Sequence, residues 1–78
     1  ARVTLLPNPT FDGQVRLVHD RADRVSYVAA YDPRGRALPL RVEQRGGSWS
    51  FQLPDAPGVY LLHLEVNGQD VLQRIVRR

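Results

Sequence analysis

Gly58-Val59-Tyr60-Leu61-Leu62-His63-Leu64-Glu65-Val66-Asn67-Gly68-Gln69-Asp70-Val71-Leu72-Gln73-Arg74-Ile75-Val76-Arg77 is the stretch that decides the fold. In an extended chain, successive side chains point to opposite sides. Tyr60, Leu62, Leu64 and Val66 then share one face, and Val59, Leu61, His63 and Glu65 share the other. Asn67-Gly68 can supply the two positive φ values of a type I′ turn, so the stretch is expected to double back as a β-hairpin. The returning strand, Gln69 to Arg77, puts Val71, Gln73, Ile75 and Arg77 on one face and Leu72, Arg74 and Val76 on the other. Neither of its faces is uniformly apolar.

Upstream of this hairpin, turn chemistry recurs at the spacing of about 8–12 residues expected of an all-β sandwich or small barrel. The breaks fall at Pro7-Asn8-Pro9 with Asp12-Gly13, Asp20 to Asp23, Asp32-Pro33-Arg34-Gly35, Gly46-Gly47, and Pro54 to Gly58. Asp32-Pro33-Arg34-Gly35 has Asp first, Pro second and Gly fourth, the pattern of a type I turn. Between the breaks lie further strand candidates. Arg2 to Leu6 turns Val3 and Leu5 to one side, and Gln14 to His19 does the same with Val15 and Leu17. Ser48 to Leu53 is the clearest alternation, with Trp49, Phe51 and Leu53 inward. Val25 to Tyr31 is apolar on both faces, which leaves its register open. Arg36 to Gln44 contains Pro39, which has no ladder donor and confines that part to an edge or a bulge. With the closing hairpin these make seven strands, and no segment carries a helical apolar stripe. The expected fold class is all-β, a seven-stranded antiparallel β-sandwich.

The composition narrows function further. Seventy-eight residues form one domain, spanning 1–78. A chain of this size buries only roughly 60% of its unfolded surface, so a deep enclosed active site is not expected. Cysteine is absent, which removes disulfides, thiolate metal sites and thiol nucleophiles. All eleven basic residues are Arg, giving a net charge of +3, but they are interleaved with eight acids along the chain. Such interleaving reads as a solvated mixed surface rather than a nucleic-acid footprint. No run approaches the ~18 apolar residues of a membrane span. The sequence opens on Ala1, with neither an initiator Met nor a signal region, and is expected to be a piece of a longer protein.

Catalytic candidates are few. His19 and His63 are the two histidines, and the serines are Ser26, Ser48 and Ser50. No nucleophile elbow, phosphate loop or paired-His spacing is present. His19 precedes Asp20, but neighbours on a strand face opposite ways. The expectation is a non-catalytic domain with no metal and no cofactor.

Four blocks occur in a particular order: Leu6-Pro7-Asn8-Pro9-Thr10, then Tyr31-Asp32-Pro33-Arg34-Gly35-Arg36, then Pro57-Gly58-Val59-Tyr60-Leu61-Leu62-His63-Leu64, then Asn67-Gly68 with a terminal Arg74-Ile75-Val76-Arg77. Together they resemble the type A C-terminal sorting domain of type IX secretion cargo, and the resemblance covers essentially the whole chain. The resemblance implies a seven-stranded Ig-like sandwich at the end of a larger protein exported by Bacteroidota-type bacteria. It implies an N-terminal cargo domain in the same chain, passage through the periplasm, and delivery to the cell surface or beyond. The implied partners are an outer-membrane β-barrel shuttle and a sortase-like cysteine protease that removes the domain and couples cargo to lipopolysaccharide. Neither nucleic acid nor direct membrane insertion is implied.

Within that resemblance, Pro7, Asn8, Pro9, Asp32, Gly35, Gly58, Tyr60, Asn67 and Gly68 are motif residues, and each also has a plain structural reading. The prolines turn the chain out of a strand, Asp32 and Gly35 close a hairpin, and Gly58 relieves crowding at a strand entrance. Tyr60 offers a buried ring whose hydroxyl needs a partner. Arg74, Ile75, Val76, Arg77 and Arg78 are the expected partner-recognition segment, because an exposed final strand edge can be grasped by strand addition. A different class of function, an Ig-like or fibronectin-like accessory binding module of a secreted hydrolase or adhesin, is favoured if Tyr27, Tyr31 or Trp49 lie exposed on one face. A nucleic-acid binder would instead show affinity that falls steeply with salt.

Overall fold

The computed structural model describes residues 3–19 and 24–78, without the side chains of His19 and Tyr27. The expected turn at Asp20 to Asp23 and the strand start at Arg2 lie outside the described residues. The strands are β1 (Val3–Leu6), β2 (Gln14–His19), β3 (Val25–Tyr31), β4 (Ala37–Leu38), β5 (Arg41–Arg45), β6 (Ser48–Gln52), β7 (Gly58–Val66) and β8 (Gln69–Arg77). They form two four-stranded antiparallel sheets, in the orders β1-β2-β6-β5 and β4-β3-β7-β8. The chain is therefore all-β, with eight strands where seven were expected. The additional strand comes from Pro39: the segment read as one strand breaks there, leaving β4 in one sheet and β5 in the other.

The core lies between the sheets. Leu5, Val15, Leu17, Phe51 and Leu53 come from the first, and Ala30, Tyr60, Leu62, Leu64, Val66 and Ile75 from the second. Burying each larger side chain contributes roughly 1.5–3 kcal/mol. The alternations read from β1, β2, β6 and β7 all bury the expected face, with Trp49 only half-buried against the core. The ambiguity of β3 has a physical cause. Its pairing with β7 shifts between Val25 and Tyr27, so Val25 reaches the core on one side of the irregularity and Val28 and Ala30 reach it on the other.

The turns follow their residue chemistry. Asn67 at φ 51° and Gly68 at φ 79° join β7 to β8, the pair of positive values expected of a type I′ turn. At the β3–β4 turn the Gly35 N–H donates to Asp32 O at 2.9 Å, and the Asp32 N–H donates to Arg36 O at 3.0 Å. Gly35 itself sits at φ 86°, giving a type I turn followed by a left-handed glycine. The Asp32 carboxylate accepts N–H bonds from Arg34 and Arg36, both at 2.9 Å, and lies 2.9 Å from the Arg36 guanidinium. These contacts, the Arg36 backbone N–H foremost, hold its carboxyl below the usual aspartate value. Gly58 is not relieving crowding, because a Cβ there would meet open space. What requires glycine is its φ of 152° at the entrance to β7. Two residues later the Tyr60 hydroxyl donates to the Ala56 carbonyl, pinning the corner before the strand.

Candidate functional site

The C-terminal strand was singled out by sequence, and its surroundings are built by the two-residue turn that precedes it. That turn fixes Val66 and Gln69 as partners, and the pairing continues without a break to Gly58 and Arg77. In such a hairpin alternate residues direct both backbone groups to the neighbouring strand. Residues 69, 71, 73, 75 and 77 therefore bond toward β7, and residues 70, 72, 74, 76 and 78 face the outer edge of the sheet.

Half of that outer edge is occupied by the chain's own N-terminal region. The Asn8 side chain donates to Arg74 O at 2.9 Å and accepts the Val76 N–H at 3.0 Å. The Thr10 N–H donates to Val76 O at 2.8 Å, and the Arg78 N–H donates to Thr10 O at 2.9 Å. Thr10 is completely buried, and its hydroxyl lies 3.0 Å from Gln14 O and 3.2 Å from Asp12 Oδ1. Leu6-Pro7 and Asn8-Pro9 are both cis peptides. Pro7-Asn8-Pro9 is thus more than an exit turn, since Asn8 acts as a clasp on β8. The freely exposed final edge expected from sequence is absent over Arg74 to Arg78, and among the described residues the Asp70 to Leu72 part carries no such cover.

The five predicted recognition residues fall into different roles. Ile75 is fully buried in the core. Val76 is half-buried and its backbone holds the clasp. Arg77, also half-buried, donates from Nε to Asp55 O and from Nη1 to Phe11 O, both at 3.3 Å. A Cβ on Gly13, at φ 82°, would come within 2.6 Å of the same Nη1, so glycine makes room for the guanidinium. Arg74 and Arg78 alone present exposed side chains to solvent. Near them the ring of Phe11 is 72% exposed and Leu72 is 68% exposed. Neither was picked out from sequence: Phe11 follows a turn, where its exposure has no periodic signature, and Leu72 sits on a strand whose two faces are both mixed.

Asp12 ties this region together. Its carboxylate accepts the Gln14 N–H at 2.9 Å. That bond, followed by the Thr10 hydroxyl and with a smaller contribution from the Arg77 charge, lowers its pKa below the ordinary value.

The remaining candidates are dispersed. His63 Nε2 lies 3.1 Å from Asp70 Oδ1 on the outer face of the β7–β8 hairpin. His19 has no described side chain. Among the described residues no three His, Asp or Glu side chains gather as metal ligands, and none of their helices is long and apolar enough to cross a membrane. A shallow, open depression between Pro39–Leu40–Arg41 and Gln52 to Asp55 holds one cation and one carboxylate without a nucleophile. Trp49 packs on the inner side of β6, whereas Tyr31, next to inward-facing Ala30, points away from the core on the other sheet. These two rings share no common platform. No protein-family model matches the chain, and no curated protein or solved structure matches it.

Proposed function

We propose that this chain is a non-catalytic C-terminal sorting domain of the type IX secretion kind, a folded address that directs the cargo preceding it across an outer membrane. The observation that carries the reading is the order of the four sequence blocks. They coincide with the Asn8 clasp, the Asp32–Gly35 turn, the Gly58–Tyr60 corner, and the Asn67-Gly68 turn leading into β8. An Ig-like sandwich belongs to the same proposal, supported by the strand orders 1-2-6-5 and 4-3-7-8. With the short β4 set aside, these correspond to the two sheets of a seven-stranded Ig domain.

The recognised surface is the exposed part of the terminus, Arg74 and Arg78 with Phe11 and Leu72 beside them. The partners are the outer-membrane shuttle and the sortase-like protease, and the destination is the cell surface or the medium. Deleting Arg74 to Arg78 would be a poor test, because it also removes Ile75 from the core and releases the clasp. The sharper experiment fuses residues 1–78 to a periplasmic reporter in a type IX-competent host, beside an Arg74→Glu/Arg78→Glu version shown by thermal melting to be folded. The unaltered fusion should reach the surface and the charge-reversed one should stay periplasmic. Retention of the unaltered fusion in the periplasm rejects the sorting role, and equal export of both rejects the role of the two arginines.

A further inference from the structure

The two sheets have four outer strands, and three of them are covered or curtailed. β1 is joined at Leu5 to the side chain of Gln73, β8 is clasped by Asn8 and Thr10, and β4 has two residues and is followed by Pro39. β5 differs. All five of its residues are exposed. Its two-residue connection to β6 pairs Arg45 with Ser48, and pairing continues to Arg41 with Gln52. By the same alternation as in β8, residues 41, 43 and 45 bond toward β6, while Val42 and Gln44 direct N–H and C=O outward. Among the described residues nothing is bonded to those four groups.

The side chains of β5 specify what fits there. Val42 lies opposite buried Phe51, so it is on the core side of the sheet, yet it is 42% exposed. On the opposite side, Arg41, Glu43 and Arg45 alternate in sign, and Arg45 Nε sits 2.8 Å from Glu43 Oε1 on the solvent surface. Such an exposed pair contributes little and is free to rearrange.

We propose that β5 is a self-association edge: two copies of this chain pair antiparallel through β5 about a two-fold axis at Val42, extending one sheet from four strands to eight. Charge excludes the register centred on Glu43, and the exposed Val42 side chain favours the one centred on itself. Centred on Glu43, the pairing sets Glu43 against Glu43 and Arg41 against Arg45, so every directly opposed charge is of like sign, which is destabilising. Centred on Val42, it sets Arg41 of each copy against Glu43 of the other. The same register places the outward backbone groups of the two Val42 residues against each other as a hydrogen-bonded pair, and brings their exposed side chains together. An edge of uniform charge would repel a second copy in every register. Here the alternation also allows a register centred on Gln44, which sets Glu43 against Arg45, but that register leaves Val42 opposite Gly46, whereas the Val42-centred one joins the two exposed valine side chains.

Sedimentation of the 78-residue chain across about 10 µM to 1 mM should show a monomer–dimer equilibrium. Arg41→Glu alone and Glu43→Arg alone each put like charges face to face and should weaken it at least about tenfold. The double swap Arg41→Glu/Glu43→Arg restores both cross-strand pairs and should recover the dimer. The sequence has no cysteine, so Val42→Cys provides a register probe. The Cα atoms of a hydrogen-bonded antiparallel pair lie about 5.5 Å apart, within disulfide range. Oxidation should link Val42→Cys dimers efficiently and Gln44→Cys dimers poorly. A chain that stays monomeric to 1 mM, a dimer indifferent to the charge variants, or preferential cross-linking at position 44 would each overturn the proposal.

Discussion

Gln73 and Leu5, on strands from different sheets, are joined by two reciprocal hydrogen bonds: the Leu5 N–H donates to Gln73 Oε1 and Gln73 Nε2 donates to Leu5 O, both at 3.1 Å. The side-chain amide stands in for the backbone of a neighbouring strand. This explains a polar residue on the inward side of β8, between Val71 and buried Ile75. Replacing Gln73 by Ala or Leu leaves both Leu5 backbone groups without that partner in a part-buried place, and should cost about 1–3 kcal/mol. Urea unfolding should show a lower midpoint for both variants. Leu matching the unaltered protein would mean that the bonds add nothing to packing.

Asn8 holds Arg74 O and the Val76 N–H with one amide, so its removal should loosen the end of β8 more than the rest of the molecule. Asn8→Ala should lower stability by about 1–2 kcal/mol. In amide exchange, Val76 and Arg78 should lose protection ahead of Ile75, whose N–H bonds toward β7. Uniform loss of protection across β8 would show that the clasp is not a separate unit.

Gly13 and Gly46 both occupy left-handed conformations, at φ 82° and 57°, but only Gly13 has neighbours where a Cβ would stand. Gly46→Ala carries the backbone penalty alone, about 1 kcal/mol. Gly13→Ala adds displacement of Arg77 and Gln52 side chains that already hold carbonyls of other segments, for a total of about 3 kcal/mol. Thermal unfolding of the two variants checks the difference, and equal melting points would remove the packing argument.

Acid should weaken the fold through Asp12 and Asp32. Both carboxyls are held below the ordinary aspartate value, Asp12 chiefly by the Gln14 N–H and Asp32 chiefly by the Arg36 N–H. A carboxyl depressed in the folded state contributes stability above its unfolded pKa, and that stability is lost as pH falls through the folded value. Stability should therefore decline below about pH 4. Substituting both residues by Asn should flatten the decline, measured as the urea midpoint between about pH 5 and 2. An unchanged slope would assign acid sensitivity to other carboxylates.

Much of this molecule was legible as a pattern. Period-two alternation determined which residues of β1, β2, β6 and β7 face inward, and Asn67-Gly68 and Asp32-Pro33-Arg34-Gly35 determined their turns, because those signals act within a few residues. The Val25–Tyr27 irregularity and the split at Pro39 were visible only as ambiguity, since which face of a two-sided apolar strand is buried depends on the sheet opposite.

The candidate site divides along the same line. By itself the sequence determined that the chain ends in a hairpin strand carrying arginines, and it supplied the ordered blocks on which the sorting-domain proposal rests. Tertiary structure decided which of those arginines are exposed, that Asn8 and Thr10 occupy the edge of β8, and that β5 remains the long open edge among the described strands. Those outcomes depend on hydrogen bonds spanning more than sixty residues, such as the 68-residue separations of Gln73 from Leu5 and Val76 from Asn8. No local propensity encodes a partner so distant along the chain; only the packing of the two sheets brings it within reach.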